Sequence, residues 1–256
     1  MGLTRRDFFW LGFFGCVLAA WAALYLMTLG AGVDLLGRAG MWGEALAALC
    51  TGTEASVAGV AAVWGMWGAM SVAMMGPTLV PMLATYQRFA GRVARPVAGQ
   101  VGIVLGFLGV WLAFSILAAA AQVALSRAGL VDARGVAATG LQGGLLLLAG
   151  AWQFSAAKMR CQSACLSPMS YFIGRFREGL GGGLNMGLEM GRDCLGCCWA
   201  IMALGFVGGV MNLAWMGVAT VLMVLEKLPG IGQAVRVPLG ILFCVSGVAV
   251  WAWNVI

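Results

Sequence analysis

The sequence predicts an all-α, polytopic transmembrane helical bundle of six to seven spans. Three observations carry this. The 256-residue chain is 62% hydrophobic and 9% charged, whereas a soluble domain carries roughly 25% charged residues. Its apolar residues gather in runs close to the ~20 residues that cross the hydrocarbon of a bilayer. Its Lys and Arg residues crowd into alternate connecting segments, the pattern of a membrane topology signal. A water-soluble core of this size cannot hide so much apolar sequence. The 40 glycines suit a bundle whose backbones approach closely. The net charge of +6 is no nucleic-acid signature, because the basic residues are scattered and lack interleaved aromatics.

The runs read in order as 8–29, 57–86, 99–125, 136–157, 190–209, 211–226 and 237–255. Arg5-Arg6-Asp7-Phe8-Phe9 opens the chain in the manner of a twin-arginine signal. The apolar stretch from Phe8 to Leu29 exceeds the ~7–15 residues of a signal-peptide core, so it reads as a retained first span. In the second run, Pro77 and Pro81 each remove a helix donor and free a carbonyl, at Ala73 and Pro77, that protein or a wet cavity must satisfy. The fifth and sixth runs are separated only by Gly208-Gly209-Val210, a tight hairpin; a re-entrant hairpin there gives the six-span count. The whole chain, 1–256, reads as one membrane domain. Within it, 158–189 reads as a partly helical cytoplasmic interfacial loop with Cys161, Cys165, Pro168 and Gly181-Gly182-Gly183.

With the N-terminus inside, the inner segments hold Arg5, Arg6, Arg88, Arg92, Arg95, Lys158, Arg160, Arg175, Arg177, Lys227 and Arg236. The outer segments hold Arg38, Arg127 and Arg134, and Arg192 stands at the start of the fifth run. This bias predicts an N-inside, C-outside protein of the bacterial inner membrane. Asp34, Glu44 and Glu54 lie in the outer segment 30–56.

The chemistry is concentrated in Cys194-Leu195-Gly196-Cys197-Cys198-Trp199. Spacings of i, i+3 and i+4 put the three thiols on one helical face, about one turn apart. Glu189, Arg192 and Asp193 precede them; charge is costly at the bilayer centre, so the helix is expected to enter the membrane near residue 193, with Cys194 at the inner boundary. Cys161 and Cys165 lie on the same side and can converge with them. The chain has no histidine, so a metal would rely on sulfur, and thiolates favour copper(I) or zinc. A reducing inner face argues against a structural disulfide. Cys16, Cys50 and Cys244 stand alone and read as small packing residues.

Met66, Met70 and Met74 repeat at i+4 in the second run, with Met82 two turns on. This stripe, Met70 and Met74 above all, reads either as a thioether path beside freed carbonyls or as gap-filling around a kinked helix. Asn212, Gln142, Gln153 and Glu226 are the polar candidates within the runs, with Glu226-Lys227 also readable as a boundary pair before Pro229. Trp199, Trp215, Trp251 and Trp253 read as interfacial anchors. No phosphate-cradling loop, nucleophilic triad or carboxylate pair is visible, which points away from an enzyme.

Several of these patches together resemble an uncharacterised bacterial family of predicted metal-binding integral membrane proteins. They are Ala73-Met74-Met75-x-Pro77-x3-Pro81-Met82, Cys161-x3-Cys165 with Pro168, the Cys194–Trp199 run, Met211-Asn212-x2-Trp215-Met216 and Glu226-Lys227, within about residues 64–240. The resemblance implies a multi-pass inner-membrane protein with a cysteine-based metal site, and no particular activity. The family pattern has Thr-Pro before the lysine that precedes the first cysteine pair, where this chain has Ser155-Ala156-Ala157-Lys158.

Three functions follow as expectations. The first is the handling or transport of copper or zinc on Cys161, Cys165, Cys194, Cys197 and Cys198, with Met70 and Met74. The second is a non-enzymatic accessory subunit of a larger membrane complex. The third is a membrane thiol redox protein using Cys194 and Cys197. The bilayer is the expected partner, other membrane subunits are a second, and nucleic acid is not expected.

Overall fold

The computed structural model describes residues 5–30, 57–90, 96–132 and 135–253. The segment with Asp34, Arg38, Glu44, Cys50 and Glu54, and also Arg92, Arg95 and Arg134, lies outside the described residues. The chain is all-α, as the composition requires. Its helices are α1 (Arg5–Gly30), α2 (Val57–Phe89), α3 (Pro96–Arg127), α4 (Thr139–Phe154), α5 (Ala156–Leu166), α6 (Pro168–Phe172), α7 (Gly179–Ala203), α8 (Gly205–Gly208), α9 (Leu213–Leu225) and α10 (Gly232–Trp253).

Five stretches, Arg6–Leu29, Gly59–Phe89, Pro96–Arg127, Gly179–Gly208 and Gly232–Trp253, are long and apolar enough to cross a membrane. The seven runs of the sequence are therefore not seven equal spans. The fourth run, 136–157, stops as a helix at Phe154. Ser155 adopts an extended backbone, and its side chain accepts a hydrogen bond from the Lys158 backbone N–H at 3.1 Å, capping α5. What reads as one span is a 16-residue helix followed by an 11-residue one.

The fifth run begins earlier than its charges suggest. Helix α7 starts at Gly179, so residues 158–189 form α5, α6 and the first turns of α7. Cys194 consequently stands well inside a 25-residue helix and not at its beginning. The hairpin after α8 turns at Gly209, whose φ of +91° falls where a side chain would be strained. Asn212 then caps α9, its side chain accepting from the Trp215 N–H at 3.0 Å, while the Trp215 indole donates to the Leu204 carbonyl at 2.9 Å. Asn212 and Trp215 thus close the hairpin.

Glycine sets the closest packing. Helices α3 and α7 run against each other along Gly102, Gly106, Gly183 and Gly187. A Cβ on Gly106 would collide with the Leu184 carbonyl oxygen, and one on Gly187 with that of Ile103. Only small residues permit backbones to meet this way. The peripheral helices α1 and α10 turn Phe8, Leu18, Leu26, Leu242, Val245 and Val248 outward. Helices α2 and α7 are the most enclosed of the five long ones. They carry the methionine stripe and the cysteine cluster.

The two prolines of α2 leave the helix continuous. The Ala73 carbonyl that Pro77 cannot serve accepts instead from the Trp21 indole of α1 at 3.2 Å. Protein, and not an open path, satisfies that group.

Candidate metal centre

Helix α7 presents Cys194, Cys197 and Cys198 on its buried face. Their i, i+3, i+4 spacing does what it predicts, and all three are buried. Cys197 donates to the Cys194 carbonyl at 3.2 Å, and its Sγ lies 3.2 Å from that of Cys198. Cys165, from α5, reaches Cys197 through a side-chain contact, and Cys194 reaches both Cys197 and Cys198. Four thiols from two helices therefore converge. Cys161, one turn back along α5, packs its sulfur on Gly196, where an added Cβ would stand 2.6 Å from it. The lack of a side chain at Gly196 lets α5 approach α7. The Trp152 indole donates to the Gly196 carbonyl at 3.1 Å.

A lysine completes the cluster. The Lys227 ammonium donates to the Cys194 sulfur at 2.7 Å and to the Thr78 hydroxyl at 2.8 Å. Lys227 is 3% exposed and Glu226 1%, so the two are interior groups and not a solvated boundary pair. Glu226 pairs with Lys158 at 2.7 Å, and Lys158 is itself fully enclosed. Gln162 donates to the Glu226 carbonyl at 2.7 Å. Lys158, Gln162 and Cys165 share one face of α5 at i, i+4 and i+7. The ion pair and the amide thus hold α5 against the end of α9, which sets where Cys165 meets α7. Breaking one side of such a buried pair costs about 3–5 kcal/mol.

A cavity of about 20 Å³ abuts the cluster, lined by Thr78, Met82, Cys165, Met190, Asp193 and Lys227 among others. That volume holds about one water-sized guest. Two thioethers, Met82 and Met190, face it. Met70 and Met74 are buried in α2 but do not line it. Among the described residues no three Cys, Asp or Glu side chains surround a common coordination point: the sulfurs instead hydrogen-bond to one another and to the lysine. Cys16 is exposed on α1 and Cys244 half-buried on α10; all seven described cysteines are free thiols. Outside the long helices, burial and then Asp193 push the Cys161 thiol upward. Burial and Glu189 push Tyr171 up to about 12.

The sequence reading missed Lys158, Gln162 and Thr78 as parts of this site, and took Lys158 and Lys227 for loop charges. Removing those two from the inner set leaves the Lys/Arg asymmetry in place. The available signal was charge adjoining apolar runs: such residues pair with each other inside the bundle.

Fold and cluster define a class: a helical protein with membrane-length apolar helices and a buried, lysine-capped thiol cluster. Within that class the chain belongs to the PpoB2 family, described as copper chaperone, whose family model matches residues 64–250. The matched region contains every thiol of the cluster together with Thr78, Lys158, Glu226 and Lys227. No curated protein and no solved structure matches the chain.

Proposed function

We propose that the protein is a copper chaperone of the bacterial inner membrane that carries Cu(I) as cargo on Cys165, Cys194, Cys197 and Cys198. The observation that carries this reading is the convergence of thiols from α5 and α7 beside a one-guest cavity with two thioethers. Thiolate and thioether donors select Cu(I) among biological cations, and the absence of histidine and the soft surroundings favour it over zinc. The donor set fits the ion in charge as well. A buried thiolate needs a counter-cation, and the Lys227 ammonium fills that role opposite Cys194. Copper takes over the role when it binds, and the ammonium falls back on Thr78. The displaced thiol protons leave with the exchange. Cys161, the half-buried thiol one turn away, acts as the relay between the surface and the cluster. The Lys/Arg bias supports an N-inside orientation; with the 16-residue α4 also crossing the membrane, that orientation puts α6 and the start of α7 on the cytoplasmic side.

The test is metal analysis of gently purified protein, alone and with Cys194, Cys197 and Cys198 changed to Ser. Copper should accompany the native chain, and most of it should be lost from the triple variant while the fold survives. Alkylation adds a second readout: the three thiols should label slowly until a chelator is added. Metal-free native protein whose thiols label at once sinks the reading, and a non-enzymatic subunit of a membrane complex takes its place.

A further inference from the structure

A second, polar cavity lies against the thiol cluster, and its walls suit a guest with two unlike ends. This groove, of about 520 Å³, is lined by Arg160, Ser163 and Ala164 of α5, by Tyr171 and Arg175 at and after α6, and by Asp193 of α7. Ala164 and Asp193 also line the small cavity beside Cys165 and Lys227. The two spaces therefore share one wall. The groove's two guanidinium groups belong to exposed residues. Arg175 sits 5.2 Å over the Tyr171 ring and 3.8 Å from Glu189, which offsets only part of its charge. At the shared wall the charge is reversed, because Asp193 supplies a carboxylate there. Positive charge thus lies on the exposed arginines and the Asp193 carboxylate on the wall shared with the small cavity, across which stands the Lys227 ammonium.

We propose that this groove seats the carrier that delivers copper to the cluster: a low-molecular-weight thiol bearing carboxylates, in complex with Cu(I). The inference rests on the copper-chaperone reading above and names the donor for that same site. The carboxylates lie toward Arg160 and Arg175, and the copper end lies toward Asp193 and the thiols. Delivery is a ligand exchange with no change of oxidation state. Two carrier–sulfur bonds to Cu(I) break as two cysteine–sulfur bonds form. A protonated cysteine passes its proton to the carrier thiolate it displaces, which leaves as a thiol; where Cys194, already a thiolate against Lys227, is the acceptor, the carrier leaves as a thiolate. Half-buried Cys165 lines the small cavity behind the shared wall and is the first cluster thiol the copper meets, so the exchange proceeds one bond at a time and never releases a bare ion.

The experiment uses purified full-length protein, freed of metal, and two Cu(I) donors: the mercaptosuccinate complex, with two carboxylates per thiol, and the mercaptoethanol complex, with none. Copper transfer is followed in time and as final stoichiometry. At low salt the mercaptosuccinate complex should load roughly tenfold faster, the scale on which a charged cleft raises on-rates. The advantage should shrink as salt is raised. In Arg160→Gln/Arg175→Gln the advantage should vanish, while loading from mercaptoethanol and the final stoichiometry stay unchanged. Equal rates for the two donors in the native protein overturn the proposal, as does an advantage that persists in the double variant. A native protein that takes copper from neither donor overturns the chaperone reading itself, so the two failures are distinguishable.

Discussion

The Nζ of Lys227 lies 2.7 Å from the Sγ of Cys194, and neither group reaches solvent. A residue at the end of one helix thereby supplies the cation for a cysteine in the middle of another. The pair joins α9 to α7, and the same ammonium reaches Thr78 of α2.

Coupling across this pair is the first prediction. Lys227→Met and Cys194→Ala should each destabilise the protein, the latter more, by about 3–5 kcal/mol, since it leaves the buried Lys227 ammonium without its counter-charge, whereas Cys194 can take a proton when the lysine is lost. Together they should cost less than their sum, with a coupling of at least ~1 kcal/mol. Unfolding in detergent of the native chain, both single variants and the double variant measures this. Strict additivity would mean that the contact contributes nothing.

Cys165 and Cys197 should be linkable. In a chain keeping only these two cysteines, a mild oxidant should join them, whereas a chain keeping only Cys16 and Cys244 should stay uncrosslinked. Lys158→Met should slow the crosslink, because the Lys158–Glu226 pair at 2.7 Å holds α5 in register. A crosslinking rate unaffected by Lys158→Met contradicts that role.

The methionines divide into two sets by position. Met82 and Met190 line the small cavity, and Met70 and Met74 are buried elsewhere on α2. Leu replaces Met in a core for less than ~1.5 kcal/mol, so both double variants should fold. Met82→Leu/Met190→Leu should retain copper less well than the native chain. If instead Met70→Leu/Met74→Leu is the pair that lowers copper handling, the stripe on α2 is the path and the cavity is not.

Two glycines on α3 give opposite expectations. Gly106→Ala drives a methyl into the α7 backbone and should cost roughly 1–3 kcal/mol or more. Gly109 has open space around its Cβ position, so Gly109→Ala should stabilise by about 0.5–1 kcal/mol. Thermal unfolding in one detergent compares them, and the same sign for both would refute the α3–α7 contact.

Orientation is checked by fusions. A reporter active only outside the membrane should give signal when joined after Ile256 and none near Arg92. The reverse pattern overturns the N-inside arrangement and moves the groove beside Asp193 to the outer face.

The class and the local chemistry are legible in the amino-acid sequence. Composition and run length decide that the chain is helical and apolar, because a bilayer-length run has no other way to satisfy its backbone. The spacing of Cys194, Cys197 and Cys198 decides that they share a face, because helix geometry is local. What those thiols meet depends on how the helices pack. Cys165 lies 29 positions before Cys194 and Lys227 lies 33 after it, and no periodicity relates such distant residues. Their approach depends on a serine cap that ends α4 early, on Gly196 leaving room for Cys161, and on a buried Lys158–Glu226 pair that fastens α5 to α9. The same pairing explains why two lysines that read as loop charges are interior: inside a helical bundle a charge is retained only where the fold brings its counter-charge within reach.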